Sequence, residues 1–299
     1  MPADMTVEQC LEIAGLCFAA AMAGAINSVA GGGTLLTFPA LIAALGGSAE
    51  AAVWANATST VALFPGSLAG MAGYRRELSA ARTWIKLLLL PSLAGGLIGS
   101  LLLMRLPAES FKALIPWLLL TAATLFWLQP RLSRRLVQDA GENADRPQRV
   151  WLVSVFQLLV AIYGGYFGAG IGILMLTALG LMGLHDIHQM NGLKTLFASV
   201  INGVAVVVFI ASGKVSWPLA IMMALAAMIG GYGGAHVARR LDRNFVRRVV
   251  VFIGLSLAAY YLYQQWRSDH AGAAPNEVAA AAIHSIERAS RGTAAPSIG

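Results

Sequence analysis

The sequence predicts an all-α membrane protein that crosses the bilayer several times and is built from two homologous repeats. Of its 299 residues, 58% are hydrophobic and only 12% are charged, whereas soluble domains carry about 25% charged residues. Several apolar stretches reach about 20 residues, the length that crosses a hydrocarbon core of about 30 Å. The clearest of these stretches are 83–104, 111–128, 190–211 and 248–266.

Each half begins with a long apolar segment that glycines interrupt. The first interruption is Gly31-Gly32-Gly33 within the segment 9–45, and the second is Gly168-Ala169-Gly170-Ile171-Gly172 within the segment 150–184. Glycines clustered this densely predict a break in a helix. A break at membrane depth is tolerated only where protein or a water-filled cavity covers its backbone. Paired breaks at matching positions of two halves are typical of the substrate site of a secondary transporter.

Matching residues at a constant offset define the repeat. Asn56 matches Asn191, and the glycines of 95–99 match those of 230–234, all 135 residues apart. Each half is therefore predicted to contain one glycine-broken helix followed by three transmembrane helices. The predicted boundaries are 1–129 for the first repeat, 130–149 for a polar linker, 150–266 for the second repeat and 267–299 for a disordered tail.

Positive charge in the connecting loops changes sides between the two halves. One loop of the first repeat carries three arginines within 75–82, and its counterpart has only Lys214. The next loop has Arg105 and Lys112, and its counterpart, 239–248, has five arginines. Because cytoplasmic loops are enriched in Lys and Arg, this exchange predicts inverted halves and an N-terminus outside the cell. Inversion requires an odd number of membrane crossings in each half. If each broken segment counts as one crossing besides the three full spans, the number is even and the halves are parallel instead.

A polar stripe marks the helix that follows each break, because its polar residues share one face at 100° per residue. Such a stripe on an apolar helix should face the interior of the bundle, since lipid would leave its donors unpaired. Alternatively, these side chains only hold neighbouring helices together. The stripe comprises Asn56, Ser59 and Thr60 in the first repeat and Asn191, Lys194 and Thr195 in the second.

Lys194 is the most informative residue of this stripe. A lysine at the centre of a span costs about 2.5–3.5 kcal/mol on insertion scales. All fourteen acidic residues fall in termini, loops or span edges, which argues against a cation pathway or a carboxylate proton relay. We therefore expect an anionic substrate to bring the negative charge. Alternatively, Lys194 lies near the start of its helix and its side chain reaches the headgroups.

These observations together predict a site for a small anion between the two breaks. The half-helix after each break would direct free N–H groups and the positive end of its dipole at the anion. No cofactor, metal site, nucleic-acid contact or enzymatic activity is predicted, and the lipid bilayer is the other expected partner. The predicted substrate-binding residues are Asn27, Gly31, Gly32, Gly33, Asn56, Ser59, Thr60, Gly170, Gly172, Asn191, Lys194 and Thr195.

At these residues the chain resembles the sulfite exporter TauE/SafE family of membrane transporters. The resemblance lies in the glycine motif of 25–39, in Asn56-Ala57-Thr58-Ser59, in the glycines of 95–99 and in those of 168–172, and it covers roughly residues 10 to 265. It implies a secondary transporter that moves a small sulfur-containing or organic anion, such as sulfite or a sulfonate, across a bacterial inner membrane. A passive anion channel and a non-transporting membrane scaffold subunit are the alternatives.

Overall fold

The computed structural model describes residues 6–29, 32–72, 74–142, 150–181, 184, 186–238 and 248–267. Within these ranges the chain is almost entirely helical and contains no β-strand, which confirms the predicted all-α class. The helices are, in chain order, α1 (Val7–Val29), α2 (Thr34–Ala44), α3 (Ala49–Ala72), α4 (Arg75–Ala80), α5 (Arg82–Arg105), α6 (Ala108–Glu142), α7 (Val150–Tyr166), α8 (Ile171–Leu181), α9 (Ile187–Ala211), α10 (Trp217–Ala238) and α11 (Arg248–Arg267).

The surface of the bundle is suited to lipid. Five of the described helices, α1, α5, α6, α9 and α11, are long and apolar enough to cross a membrane. Large apolar side chains point outward from these and other helices, and Phe18, Ile229 and Phe252 are each at least 70% exposed. Exposed apolar surface of this extent marks contact with a membrane or a partner. The chain is therefore a multi-pass membrane protein.

The first broken segment folds into a hairpin, because α2 returns along α1. A Cβ added at Gly33 would lie only 2.6 Å from the carbonyl oxygen of Ala23, whereas ten residues of continuous helix would separate the two by about 15 Å. Gly32 has φ +106, a conformation that glycine adopts at little cost. Its N–H donates to Asn27 Oδ1 at 3.1 Å, which satisfies one backbone group of the turn.

The second broken segment turns back in the same way, and α8 packs against α7. Gly168 and Gly170 have φ +81 and +79, and the Tyr163 hydroxyl closes the turn by donating to the carbonyl of Ala169 at 2.8 Å. A Cβ added at Gly164 would lie 3.2 Å from the side chain of Ile171. Both predicted breaks are present, and each one forms a hairpin rather than a kink in a single helix.

The matched helices α3 and α9 pack against each other in antiparallel directions. Near the start of α3 and the end of α9, Lys214 Nζ lies 3.3 Å from Glu50 Oε2. Further into α3 and earlier in α9, the Ser199 hydroxyl donates to the carbonyl of Ser67 at 3.1 Å. In addition, α1 packs on α10 and α7 packs on α5, so each hairpin is covered by a helix of the other half.

Charged residues separate onto two faces of the bundle. The basic face is the one where α3 ends and α5 begins, and it carries the exposed residues Arg75, Arg76 and Arg82. Helix α9 begins on this face, because a Cβ added at Gly192 would lie 3.5 Å from the Cβ of Glu77 on α4. The basic face therefore holds the connections on both sides of α4 and the start of α9.

The mixed-charge face is the opposite one, where α3 begins, α5 ends and α6 begins. It carries Glu50 with its ion-pair partner Lys214, and Arg105 and Glu109 at the junction of α5 with α6. Helix α11 ends there as well, since Gln265 Nε2 donates to the carbonyl of Ala113 at 3.0 Å.

Some predicted boundaries extend beyond the described residues. Helix α6 continues to Glu142, so the first part of the predicted linker 130–149 is helical. Residues 143–149 of that linker and 268–299 of the predicted tail lie outside the described residues.

Glycines allow helices of different halves to touch backbone to backbone. A Cβ added at Gly24 on α1 would overlap the carbonyl oxygen of Ala227 on α10, and one added at Gly99 on α5 would overlap that of Ile162 on α7. Close approach of this kind is typical of transmembrane helix pairs with small residues at the contact. Gly99 therefore lets α5 pack directly against the backbone of α7.

Two single-methyl substitutions on α1 test this packing. Gly24→Ala is expected to destabilise the protein by about 1–3 kcal/mol, because the methyl group overpacks a contact between backbones. Gly15→Ala serves as the matched control, since a Cβ added there meets nothing within 4 Å. Thermal unfolding in detergent should show a lower midpoint for Gly24→Ala and an unchanged or slightly higher one for Gly15→Ala. Equal midpoints for both variants would contradict the α1–α10 contact.

Candidate substrate-binding site

The two breaks lie close together because both contact the same part of α6. A Cβ added at Gly32 would overlap the ring of Phe126, and one added at Gly170 would lie 3.5 Å from Ala122. Residues 122–126 span little more than one turn of helix. The starts of α2 and α8, which follow these glycines, therefore both lie near this part of α6, although α2 and α8 do not pack closely on each other.

The first turn of α2 is fixed to α3 by a chain of hydroxyl groups. The hydroxyl oxygens of Thr37 and Ser59 lie 2.6 Å apart, and Thr37 also donates to the carbonyl of Gly33 at 3.3 Å. Both side chains are fully buried. Ser59 thus contacts the break through Thr37, and its hydroxyl positions α2.

Asn56 joins α3 of the first half to the hairpin of the second half. Its Nδ2 donates to the carbonyl of Tyr166, the last residue of α7, at 3.1 Å. The Asn56 side chain is only 1% exposed, and its Oδ1 is buried without a hydrogen-bond partner among the described residues. The hydroxyl of Tyr166 is also buried without a hydrogen-bond partner among the described residues. A buried polar atom without a partner costs about 1–3 kcal/mol.

Lys194 lies across the first turn of α8. Its Cδ is 3.2 Å and its Cε 3.8 Å from the position of a Cβ added at Gly172, the second residue of α8. The side chain of Lys194 is half-buried. The start of a helix carries a positive partial charge from its free N–H groups. The lysine and the helix start therefore raise the positive potential of one region, as an anion site requires.

Thr60 and Thr195 occupy equivalent places in the two halves. Each hydroxyl donates to the carbonyl four residues earlier, of Asn56 and Asn191 respectively, at 2.8 Å. The asparagines differ, because the Asn191 side chain is half-buried and makes no hydrogen bond to another described residue. The stripes of α3 and α9 thus share the threonine bond and differ in the burial of their asparagines.

The structure connects the predicted site residues through contacts in two groups. Asn27, Gly32, Gly33 and Ser59 belong to the first hairpin and its contact with α3, and Gly170, Gly172 and Lys194 belong to the second hairpin and its contact with α9. The α6 segment 122–126 lies between these groups. Gly31 lies outside the described residues.

An aromatic cluster at the end of α7 was not predicted from the sequence. Phe38 of α2, Phe111 of α6, and Tyr166 and Phe167 of α7 and the following turn contact one another in the interior. Aromatic residues in an apolar sequence carry no signal that separates such a cluster from lipid-facing side chains. Only the meeting of three helices reveals it.

A buried carboxylate that lies against α9 was also not predicted from the sequence. Glu77 on α4 lies against Gly192 of α9, and its Oε2 is buried without a hydrogen-bond partner among the described residues. The sequence places Glu77 at the edge of a span, and its contact with α9 depends on how α4 folds back.

Two glycine-broken hairpins that meet within a bundle of apolar helices define a multi-pass membrane transporter. The chain matches the family model for the sulfite exporter TauE/SafE over residues 16–261. It belongs to this family.

Bacterial relatives extend over most of the chain. It is 27% identical over 252 residues to the "Probable membrane transporter protein YfcA" of Escherichia coli strain K12, covering 83% of this chain and 88% of that one. It is also 27% identical to "Probable membrane transporter protein ORF9" of Sinorhizobium, covering 82% of this chain and 90% of that one, and to a "Probable membrane transporter protein" of Haemophilus influenzae, covering 82% and 92%. No solved structure matches the chain at a significant level.

Substituting the two equivalent asparagines tests the different roles that the structure gives them. Asn56→Leu is expected to lower the free energy of unfolding by about 1–3 kcal/mol, because the carbonyl of Tyr166 loses its buried donor. Asn191→Leu should leave the free energy of unfolding nearly unchanged, since no bond to another described residue is lost. Chemical or thermal unfolding in detergent measures both effects. The same loss of stability in both variants would contradict the asymmetry between the halves.

Proposed function

We propose that the protein is a secondary transporter for a small anion, with sulfite, a sulfonate or another sulfur-containing or organic anion as its substrate. The observation that carries this proposal is the position of Lys194 across the first turn of α8, at Gly172. The ammonium group of Lys194 and the N-terminal end of α8 both contribute positive potential to this region. An anion bound there would interact favourably with both.

The neighbouring break adds donors to the same region. Gly170 contacts Ala122 of α6, and one turn further along α6 Phe126 contacts Gly32. The start of α2 therefore adds a second helix end with a positive partial charge. The space beside Gly32 and Gly33 is filled by Phe126 and Ala23, so the donors offered to an anion at this break are those of the first turn of α2.

We infer that the two halves have opposite orientations in a bacterial inner membrane. The antiparallel packing of the matched helices α3 and α9 supports this, as do the salt bridge and hydrogen bond along it. A hairpin that enters and leaves on one side leaves three full crossings in each half, which is the odd number that inversion requires. The positive-inside rule then puts the basic face in the cytoplasm. Known relatives are bacterial.

Transport in this arrangement proceeds by alternating access. One repeat moves relative to the other, so that the region between the breaks opens first to one side of the membrane and then to the other. The hydrogen bond from Asn56 of the first half to Tyr166 of the second half crosses this moving boundary. An anion held by Lys194 would be passed from one side to the other.

Replacing Lys194 tests whether its charge binds the substrate. Lys194→Met is expected to lower anion uptake into proteoliposomes about tenfold or more, since a loss of 1.4 kcal/mol of binding free energy is tenfold in affinity. Lys194→Arg should retain part of the activity because it keeps the charge. Lys86→Met, which removes an exposed lysine of α5, is the matched control. Uptake by Lys194→Met at the wild-type rate would contradict a role of this charge in binding the substrate, whereas no uptake by the wild-type protein would favour a scaffold.

The kinetics of flux separate a carrier from a channel. A carrier is expected to show saturation with anion concentration and to accelerate exchange of labelled anion when unlabelled anion is on the opposite side, because each cycle returns a binding site. Proteoliposomes that hold unlabelled sulfite and receive labelled sulfite outside measure this counterflow. Flux that rises linearly and shows no counterflow would identify a channel.

A panel of ligands identifies the anion. A substrate that binds only the folded protein is expected to stabilise it by about 2.7 kcal/mol at a concentration of 100 times its Kd. Thermal unfolding of the purified protein is measured with sulfite, thiosulfate, methanesulfonate and acetate, and with sodium chloride at matched ionic strength. If none of these anions raises the midpoint above the chloride control, the proposed substrate class is wrong.

A further inference from the structure

We propose that four aromatic residues form a gate that closes the transport path toward the mixed-charge face, and that the structure is the state open toward the basic face. The aromatic gate consists of Phe38, Phe111, Tyr166 and Phe167. The inference rests on the proposed transport function, since a gate has a role only where a solute passes.

The four rings form a continuous contact across both hairpins. The ring centroids of Phe38 and Phe167 lie 5.2 Å apart at an interplanar angle of 87°, and those of Phe111 and Tyr166 lie 5.5 Å apart at 78°. Phe38 and Phe111 complete the set at 6.0 Å. These edge-to-face arrangements are the favoured geometry for aromatic pairs. The three phenylalanines are at most 1% exposed, so no open passage runs between them.

The residues of α6 that contact the gate and the breaks show that the gate lies between the breaks and the mixed-charge face. The buried side of α6 carries Phe111, Ile115, Leu119, Ala122 and Phe126, each at most 1% exposed. The breaks contact Ala122 and Phe126, whereas Phe111 is in the first turn of α6, at the mixed-charge face. Eleven residues of helix separate Phe111 from Ala122, or about 16 Å.

The two hairpins differ in the side chains that follow their breaks. When the first residues of α2 and α8, Thr34 and Ile171, are aligned, Phe38 of the gate matches Met175. This ring of the first hairpin therefore has no aromatic counterpart at the matched position of the second hairpin.

The exposure of the polar stripes shows the same asymmetry. Asn56 and Ser59, on the part of α3 nearer the mixed-charge face, are at most 1% exposed. Their equivalents Asn191 and Lys194, within the first eight residues of α9 from the basic face, are half-buried. Thr60 and Thr195, the third residues of the two stripes, are both half-buried, so the asymmetry lies in the first two residues of each stripe.

Two buried polar atoms explain how this gate can open. Asn56 Oδ1 and the Tyr166 hydroxyl have no hydrogen-bond partner among the described residues while the gate is closed. Water or a substrate that enters through the separated rings would supply partners for both. The ring contacts that opening loses are offset by these hydrogen bonds, so the open and closed states stay close in free energy.

Accessibility of a single cysteine from each face tests the gate without any transported substrate. Cys10 and Cys17 are the only cysteines of the chain, so Cys10→Ser with Cys17→Ser gives a cysteine-free background for Thr195→Cys. A membrane-impermeant thiol reagent is applied to vesicles of either orientation. With the gate intact, we expect labelling from the basic face only. Adding Phe111→Ala should raise labelling from the mixed-charge face about tenfold.

A matched control and a milder variant make the result interpretable. Trp117→Ala removes another aromatic ring of α6, one that is 57% exposed, and should leave the labelling pattern unchanged. If Phe111→Ala does not give a monodisperse protein, Phe111→Leu keeps the apolar character and should still raise labelling from the mixed-charge face.

Two outcomes would overturn the gate. One is labelling of Thr195→Cys from the mixed-charge face while all four rings are present. The other is no rise in that labelling in a folded Phe111 variant. By contrast, the expected labelling of the Thr195→Cys protein together with no anion flux by the wild-type protein in proteoliposomes would overturn the transport function and leave the closure itself in place.

Discussion

The structure depends on one constraint: backbone N–H and C=O groups exposed by a helix break cannot face lipid. Each hairpin first satisfies some of these groups with its own side chains. Asn27 Oδ1 accepts a hydrogen bond from the N–H of Gly32, and the Tyr163 hydroxyl donates one to the carbonyl of Ala169. The remaining cover comes from the other half of the protein. Asn56, which donates to the carbonyl of Tyr166, is the clearest case.

Because each hairpin is covered by the opposite half, neither half is a self-contained unit. The glycine contacts of α1 with α10 and of α5 with α7 bring the halves together backbone to backbone. A shift of one half relative to the other therefore changes the surroundings of both breaks at once. This is the coupling that alternating access needs.

The two predicted repeats place the same kind of break at matching positions and differ in the side chains around it. The hydroxyls of Thr60 and Thr195 make the same bond in both halves, whereas Ser59 is matched by Lys194 and Phe38 by Met175. A lysine therefore lies beside one break and a buried phenylalanine follows the other.

The sequence by itself determined the membrane class, the positions of both breaks and the polar stripe, because composition, glycine clustering and helical periodicity are local properties. It could not decide that the broken segments return as hairpins, since a glycine permits either a kink or a reversal. It could not show that Ser59 is bonded to Thr37 or that Asn56 supports Tyr166, 110 residues away. Those contacts and the aromatic cluster exist only because helices that are distant in the chain pack together. Local sequence patterns do not indicate which helices pack against each other.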